Sequence, residues 1–259
     1  MPEELPAIDV RNLTMAYGSF VVMRDLQFSI RRGEIFVIMG GSGCGKSTLL
    51  KHMIGLNRPH FGHIKYGRDD LWACNDEERR RMLRRIGVLY QYGALWSGLT
   101  LAENVALPLH EYTKLRKEEI AGLASLKLAL SGLRGFDAFY PSQISGGMRK
   151  RAALARALAL DPEMLFFDEP SSGLDPVSAS RLDELIVQLR DSLGATIVVV
   201  SHDLDSIFTI ADRAVYLDIE ERTMTALGNP HDLLHHPPNE SVARFLTRGG
   251  VKGREARGS

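Results

Sequence analysis

A short glycine-rich segment between an apolar run and a helical run constrains this chain more than any other feature. Residues 40 to 47 fit the pattern G-x-x-x-x-G-K-[ST]. The segment follows the apolar residues 35 to 39, which predict a buried strand, and precedes residues 48 to 53, which predict a helix. Glycines let successive backbone N–H groups point at phosphate oxygens, and the helix adds its positive N-terminal end. The segment therefore predicts a phosphate-binding loop in an α/β fold.

This loop assigns a role to its two polar side chains at the start of the helix. Lys46 is expected to reach the β- and γ-phosphates of a nucleotide, and the hydroxyl of Ser47 is expected to bind Mg²⁺. The nucleotide-binding residues predicted from the segment are Gly40, Gly41, Ser42, Gly43, Cys44, Gly45, Lys46, Ser47 and Thr48.

Two further apolar runs end in polar residues. Residues 164 to 167 are followed by Asp168 and Glu169, and residues 196 to 200 are followed by a serine and His202. Unbroken apolar runs are typical of strands buried on both faces of a parallel sheet, and such sheets bind ligands beyond the carboxyl ends of their strands. In a protein with a phosphate-binding loop, we expect Asp168 to hold Mg²⁺ through water and Glu169 to polarise the attacking water. Because a protein that only binds nucleotide could dispense with Glu169, its presence favours hydrolysis.

The rest of the sequence divides the chain into regions. Short β-like runs lie near the amino end, and residues 91 to 162 are rich in helix-forming residues. We predict a nucleotide-binding core from 1 to 91 and from 161 to 248, a helical subdomain inserted from 92 to 160, and a disordered tail from 249 to 259. The expected fold class is α/β, a P-loop NTPase core with a small N-terminal antiparallel β region.

The composition excludes several functional classes. The 32 basic and 32 acidic residues cancel, so nothing indicates general attraction to nucleic acid or to an anionic membrane surface. Cys44 and Cys74 form neither a disulfide framework nor a metal site, which favours a reducing compartment. No apolar stretch approaches the roughly 18 to 20 residues that a transmembrane helix needs. Any membrane role is therefore expected to depend on a partner.

Further motifs resemble those of the ABC ATPases. Ser145, Gly146 and Gly147 stand just ahead of a helical run and resemble the signature motif of that family. Gln91 follows an apolar run and resembles the Q-loop glutamine.

Three more positions complete the resemblance, in the order and spacing of the family. The segment that ends at Asp175 resembles the D-loop, His202 resembles the switch histidine, and Tyr17 resembles the aromatic residue that stacks on adenine. One departure occurs at Met148, where the commonest signature motif has glutamine. Since methionine makes no strong hydrogen bond, any polar contact from that side chain to the nucleotide is lost, whereas closure and hydrolysis are expected to survive.

The resemblance implies a head-to-tail homodimer. ATP would lie between the phosphate-binding loop of one copy and Ser145, Gly146 and Gly147 of the other, with Asp175 near the nucleotide. Mg²⁺ would be held by Ser47, Gln91 and Asp168. The residues that the resemblance assigns to catalysis are Glu169, His202, Lys46 and Gln91.

The segment after Gln91 points to a branch of the family. Gly93-Ala94-Leu95-Trp96, together with Met148, resembles the ATPases of the Mla and wider Mce lipid-transport systems. The resemblance implies transport of phospholipids or other hydrophobic molecules between the inner and outer membranes of a bacterium. It also implies a permease that docks between Gln91 and Asn104, an Mce-domain partner, and a location at the cytoplasmic face of the inner membrane.

Three alternatives remain open. The first is an ATPase of another ABC branch that imports a polar solute or exports a drug or lipoprotein. The second is an ABC ATPase that acts on DNA ends or ribosomes, although the sequence has one phosphate-binding loop, one signature motif and no extended heptads. The third is a nucleotide-binding regulator without turnover, which Glu169 and His202 oppose.

Overall fold

The computed structural model describes residues 5–247 as two sheets with helices packed around them. The predicted tail from 249 to 259 lies outside the described residues. The strands in chain order are β1 (Ile8–Tyr17), β2 (Phe20–Ile30), β3 (Ile35–Gly40), β4 (Phe61–Tyr66), β5 (Asp69–Asp70), β6 (Ile86–Leu89), β7 (Met164–Asp168), β8 (Thr196–Val200), β9 (Arg213–Asp218) and β10 (Thr223–Gly228). The helices are α1 (Lys46–Met53), α2 (Asp76–Leu83), α3 (Leu101–Tyr112), α4 (Lys117–Leu130), α5 (Gly146–Ala157), α6 (Pro176–Leu193), α7 (Leu204–Ile210), α8 (Pro230–His235) and α9 (Glu240–Thr247).

The smaller sheet confirms the predicted antiparallel region at the amino end. Its strand order is β2-β1-β4-β5, and every pairing in it is antiparallel. β1 and β2 form a hairpin in which Tyr17 lies opposite Phe20 and Gly18 adopts a positive φ of 58° at the turn. That conformation suits glycine, which lacks a Cβ.

The larger sheet has the order β10-β9-β3-β8-β7-β6. All its pairings are parallel except that between β9 and β10. Every residue of β3 and β8 is buried, because alternate side chains enter the two core clusters on opposite faces of the sheet. The strands predicted from unbroken apolar runs, β3, β7 and β8, are thus confirmed as buried parallel strands of one sheet, and their carboxyl ends meet at one edge.

A helical layer lies between β6 and β7 in the chain. α3, α4 and α5 pack against one another around their own apolar cluster, which includes Leu101, Val105, Leu128 and Ala152. This layer confirms the predicted helical insertion. α5 begins two residues earlier than the helical run suggested, because the side chain of Ser145 caps it by accepting a hydrogen bond from the Met148 N–H.

The helix α1 joins the two sheets. It packs against β1 of the small sheet and against β3, β7 and β8 of the large one. The loop from Gly40 to Gly45 is thereby held at the carboxyl end of β3. No helix among residues 5–247 has both the length and the apolar character to cross a membrane.

Candidate active site

Two glycines of the loop between β3 and α1 are required by the chain's own packing. Gly40 and Gly45 have positive φ angles of 152° and 96°. A Cβ at Gly40 would lie 2.6 Å from the carbonyl oxygen of Leu217, and one at Gly45 would lie 2.9 Å from a methyl carbon of Val22. Both distances are too short for a Cβ, so only glycine lets the loop fold back over the start of α1.

Lys46 holds this loop from inside. Its side chain is buried, and its ammonium donates hydrogen bonds to the carbonyl oxygens of Gly40 at 3.0 Å and Gly41 at 2.8 Å. Because both partners are neutral, they do not cancel the positive charge of the ammonium. The group can therefore attract a phosphate that binds in the loop.

Oxygen ligands suited to Mg²⁺ lie side by side at the start of α1 and the end of β7. The Ser47 hydroxyl donates to Asp168 Oδ1 at 2.9 Å. Gln91, two residues after β6, places its side-chain nitrogen 3.5 Å from the hydroxyl of Ser172. Hydroxyl, carboxylate and amide oxygens are hard ligands of the kind that Mg²⁺ prefers, usually with phosphates of the substrate completing its coordination. These residues therefore fit the predicted ion.

Glu169 and His202 meet because β7 and β8 are adjacent parallel strands. Glu169 Oε1 lies 2.8 Å from His202 Nδ1, and the Glu169 carboxylate is largely buried whereas the histidine ring is exposed. Glu169 has a positive φ of 49°, which costs about 1–3 kcal/mol for a residue with a Cβ. Its backbone N–H donates to the carbonyl oxygen of Val200 at 2.9 Å, which ties this strained position to β8.

Most of the predicted site residues surround one cleft. Its volume is about 500 Å³. It extends from the hairpin of the small sheet, across the phosphate-binding loop, to the ends of β6, β7 and β8. The residues that line it are Tyr17, Phe20, Val22, Ser42, Gly43, Gly45, Lys46, Ser47, Thr48, Gln91, Glu169 and His202.

The predicted signature and D-loop residues do not line this cleft. The hydroxyl of the exposed Ser145 caps α5 by accepting a hydrogen bond from the Met148 N–H at 3.2 Å. Asp175 caps α6 by accepting hydrogen bonds from the N–H groups of Val177 and Ser178. A hydrogen bond from the Ser178 side chain lowers the pKa of Asp175. Within one chain these residues serve the ends of their own helices.

Sequence reasoning missed two apolar residues of the cleft. Phe20 and Val22 lie on β2 beside Tyr17 and give the aromatic end of the cleft a second ring and an aliphatic wall. The signal was available in the hairpin, since residues that face each other across an antiparallel pair have neighbouring side chains. An exposed aromatic pair of this kind suits the flat face of a nucleotide base.

Comparison with known proteins identifies the family that this chain resembles. Residues 23–172 match the family described as "ABC transporter". The chain is 44% identical over 240 residues, 93% of its length, to the "Probable ribonucleotide transport ATP-binding protein mkl" of Mycobacterium tuberculosis, and it covers 66% of that protein. It is 41% identical over 239 residues, 92% of its length, to the "Intermembrane phospholipid transport system ATP-binding protein MlaF" of Haemophilus influenzae, and covers 89% of it.

A solved structure shares this architecture. The ATP-binding cassette MJ0796, in a dimeric post-hydrolysis state bound to ADP and phosphate, superposes with a TM-score of 0.78 at 30% sequence identity. The superposition covers 86% of this chain and 98% of that one.

Proposed function

The chain belongs to the ABC transporter family, and from that premise we propose that it hydrolyses ATP to ADP and phosphate to energise transport through a separate membrane-spanning partner. The observation that carries the proposal is the contact between Glu169 and His202 beside the phosphate-binding loop. A carboxylate at this position can polarise a water molecule for attack on the γ-phosphate.

Residues in and beside the cleft divide the proposed reaction among them. Backbone N–H groups of residues 40–47 and the ammonium of Lys46 bind the β- and γ-phosphates. Ser47, Asp168 and Gln91 would hold Mg²⁺, which neutralises phosphate charge when it is bound. Glu169 orients and polarises the attacking water, and His202, fixed by Glu169 through one ring nitrogen, contacts the γ-phosphate. Tyr17 stacks on the adenine.

We propose that the active form is a head-to-tail homodimer. Gly146 and Gly147 lie at the tip of α5, where a Cβ on either would come no closer than 3.5 Å to any atom of residues 5–247 outside the backbone of α5. Glycine there is thus not required by the chain itself, which fits a surface that closes on the nucleotide of a second copy. The related cassette is described as dimeric, which supports a dimer for this chain as well.

The permease is proposed to dock around the segment between Gln91 and Asn104. Tyr92 and Trp96 on this segment expose 88% and 66% of their surfaces, although Leu95 packs into the core. Asn104 is itself buried and bonds to the backbone of Trp96, Leu99 and Thr100, so it shapes the segment rather than contacting a partner. An adjoining groove of about 560 Å³ between β6, α2, α3 and α5 offers room for a partner helix.

The proposed cargo is a phospholipid or another hydrophobic molecule, moved between the inner and outer membranes. The support is the identity to the MlaF protein of Haemophilus influenzae along almost the whole of both chains. The proposal includes an Mce-domain partner and a place at the cytoplasmic face of the inner membrane, held there by the permease. It includes no nucleic acid, in keeping with the balanced charge.

A second cargo has support from a specific observation. The mycobacterial relative is described as a probable ribonucleotide transport protein, and this chain spans 66% of its length. A polar cargo would keep the motor and change the permease and its accessory proteins.

Affinity purification tests the proposal. We would tag the Glu169→Gln variant, solubilise native membranes in detergent and identify co-purifying proteins by mass spectrometry. Tagged Lys46→Ala is the matched control, since it should not form the ATP-bound dimer. A multi-span permease together with an Mce-domain protein is the expected result. A permease with a soluble solute-binding protein would contradict the lipid cargo, and the absence of any membrane protein would contradict transport.

A further inference from the structure

Lys150 joins two parts of the active site from the middle of α5. It follows Ser145 by five residues and is 6% exposed. Its ammonium donates hydrogen bonds to the backbone carbonyl oxygens of Gln91 and of Glu169, the latter at 3.2 Å. One side chain thus connects the segment proposed to meet the permease with the residue proposed to polarise water.

Burying this ammonium is costly, so the protein must gain something from it. Charged groups taken out of water cost several kcal/mol unless they are well paired. Burial lowers the pKa of Lys150, whereas the nearby negative charges of Glu169 and Asp168 act in the opposite direction. The hydrogen-bond partners of the ammonium are nevertheless carbonyl oxygens, not carboxylates. A buried methionine would fill similar space without the desolvation cost, which argues that the contacts themselves are needed.

The backbone of Glu169 needs such contacts because it is strained. A left-handed conformation at a residue with a Cβ persists only where its surroundings impose it. The Glu169 N–H is held by Val200, and its carbonyl oxygen accepts hydrogen bonds from Lys150 and from the N–H of Ser172. Lys150 is the long side chain in this set, and it comes from a different layer of the fold.

A second cation on α5 provides an internal contrast. Arg156 donates to the carbonyl oxygens of Gly93 and Ala94, so it fastens the same segment that begins at Gln91. These hydrogen bonds of Arg156 go to that segment, whereas those of Lys150 also reach Glu169. Arg156 therefore anchors the segment without a hydrogen bond to Glu169, whereas Lys150 bonds to both.

We propose that Lys150 is a positioning residue for hydrolysis, whose ammonium fixes the backbone of Glu169 relative to that of Gln91 so that the Glu169 carboxylate faces the attacking water. This inference rests on the proposed hydrolysis of ATP. Because Lys150 acts through Glu169 and does not line the nucleotide cleft, its loss should lower kcat and leave ATP binding almost unchanged.

The test compares phosphate release from Mg·ATP by the purified full-length wild type with that of Lys150→Met, Lys150→Arg and Lys127→Met. Lys127 is the matched control because it is also 6% exposed and its ammonium pairs with Asp161, away from the cleft. We expect Lys150→Met to lose kcat by about tenfold or more, the loss typical of hydrogen bonds to a charged group, with KM for ATP within about twofold of wild type. Lys150→Arg should recover most of the loss, and Lys127→Met should keep wild-type kcat.

Several results would overturn the inference. They are a kcat for Lys150→Met no lower than that of Lys127→Met, a change confined to KM, or an arginine variant that folds and is as slow as the methionine variant. Circular dichroism checks folding; if Lys150→Met does not fold, Lys150→Gln replaces it under the same criteria, since its side chain is one carbon shorter and cannot span both carbonyl oxygens. A wild type without turnover would count against the proposed hydrolysis, whereas an active wild type with an equally active Lys150→Met counts against Lys150 alone.

Discussion

The molecule contains two glycine motifs, and packing within the chain demands glycine in the first but not in the second. At Gly40 and Gly45 a Cβ would come within 3.0 Å of atoms of the same chain. At Gly146 and Gly147 the nearest such atoms are 3.7 and 3.5 Å away, an ordinary van der Waals distance. Glycine is also a poorer helix former than alanine, so the stability of α5 does not explain why it begins with two of them.

The polar side chains near each motif follow the same division. Ser47 and Glu169 have partners on other strands and loops of their own chain, and Lys46 bonds to the loop that precedes its own helix. Ser145 and Asp175 bond to the first turns of the helices that they cap. The region around the phosphate-binding loop is thus assembled by folding. The region around the signature motif gains its proposed function only when a second copy binds to it. The following predictions test this difference, beginning with the largest expected effect.

Glu169→Gln, in the region around the phosphate-binding loop, should stop ATP turnover. Glutamine keeps the size of the side chain but cannot polarise water as a carboxylate does, so phosphate release should fall by roughly 10²- to 10⁴-fold. ATP-bound dimers should accumulate, which size-exclusion chromatography with ATP would detect. Glu163→Gln is the matched control, because Glu163 precedes β7 and pairs with Arg85 at the surface. Wild-type turnover in Glu169→Gln would remove Glu169 from its proposed role.

Lys46→Ala should weaken nucleotide binding by the monomer. Loss of charged hydrogen bonds to the β- and γ-phosphates should reduce ATP affinity by about 10- to 100-fold, as measured by isothermal titration calorimetry. Lys51→Ala, on the exposed side of α1, is the control and should bind as the wild type does. Unchanged affinity in Lys46→Ala would contradict the assignment of the phosphate-binding loop.

Gly40→Ala should destabilise the fold itself. The new Cβ would lie 2.6 Å from the carbonyl oxygen of Leu217 and 2.7 Å from Cys44 Sγ, in a backbone conformation that favours glycine. We expect the free energy of unfolding in urea to fall by about 1–3 kcal/mol. A variant as stable as the wild type would show that the loop adapts more easily than its packing indicates, and the contrast between the two glycine motifs would weaken.

Gly147→Ala should produce the opposite pattern. Its Cβ would make an ordinary contact with Ser178, so the free energy of unfolding should stay within about 0.5 kcal/mol of wild type or rise. In the Glu169→Gln background, ATP-dependent dimerisation measured by analytical ultracentrifugation should weaken by about tenfold, because the methyl group would meet the nucleotide of the partner. Unimpaired dimerisation would mean that this glycine does not face a second copy.

Sequence reasoning succeeded where function depends on local patterns. The unbroken apolar run of β8 indicated a buried parallel strand, and the residues at the carboxyl ends of β7 and β8, Glu169 and His202, do meet in the cleft. β9, another strand of the same sheet, was not predicted, because charged residues stand at its two ends, Arg213 and Asp218. The sequence did not single out Lys150 either. It stands between two arginines in a basic helical run, and only the packing of α5 on β6 shows that this one cation is buried.

Met148→Gln should have the smallest effect. It tests whether the unusual residue of the signature motif contacts only its own chain or also reaches the nucleotide of a second copy. The Met148 side chain packs against the apolar cluster of the helical layer, and its N–H is capped by Ser145 whatever side chain it carries. Gly146, Gly147 and the Ser145 hydroxyl are unaffected by the substitution. ATP turnover should therefore stay within about twofold of wild type. Ser145→Ala, which removes the cap, is the comparison and should cost about 1 kcal/mol in the free energy of unfolding. A gain in kcat/KM for ATP over GTP in Met148→Gln would show instead that this position reaches the nucleotide of the partner, and it would then belong with the glycines beside it.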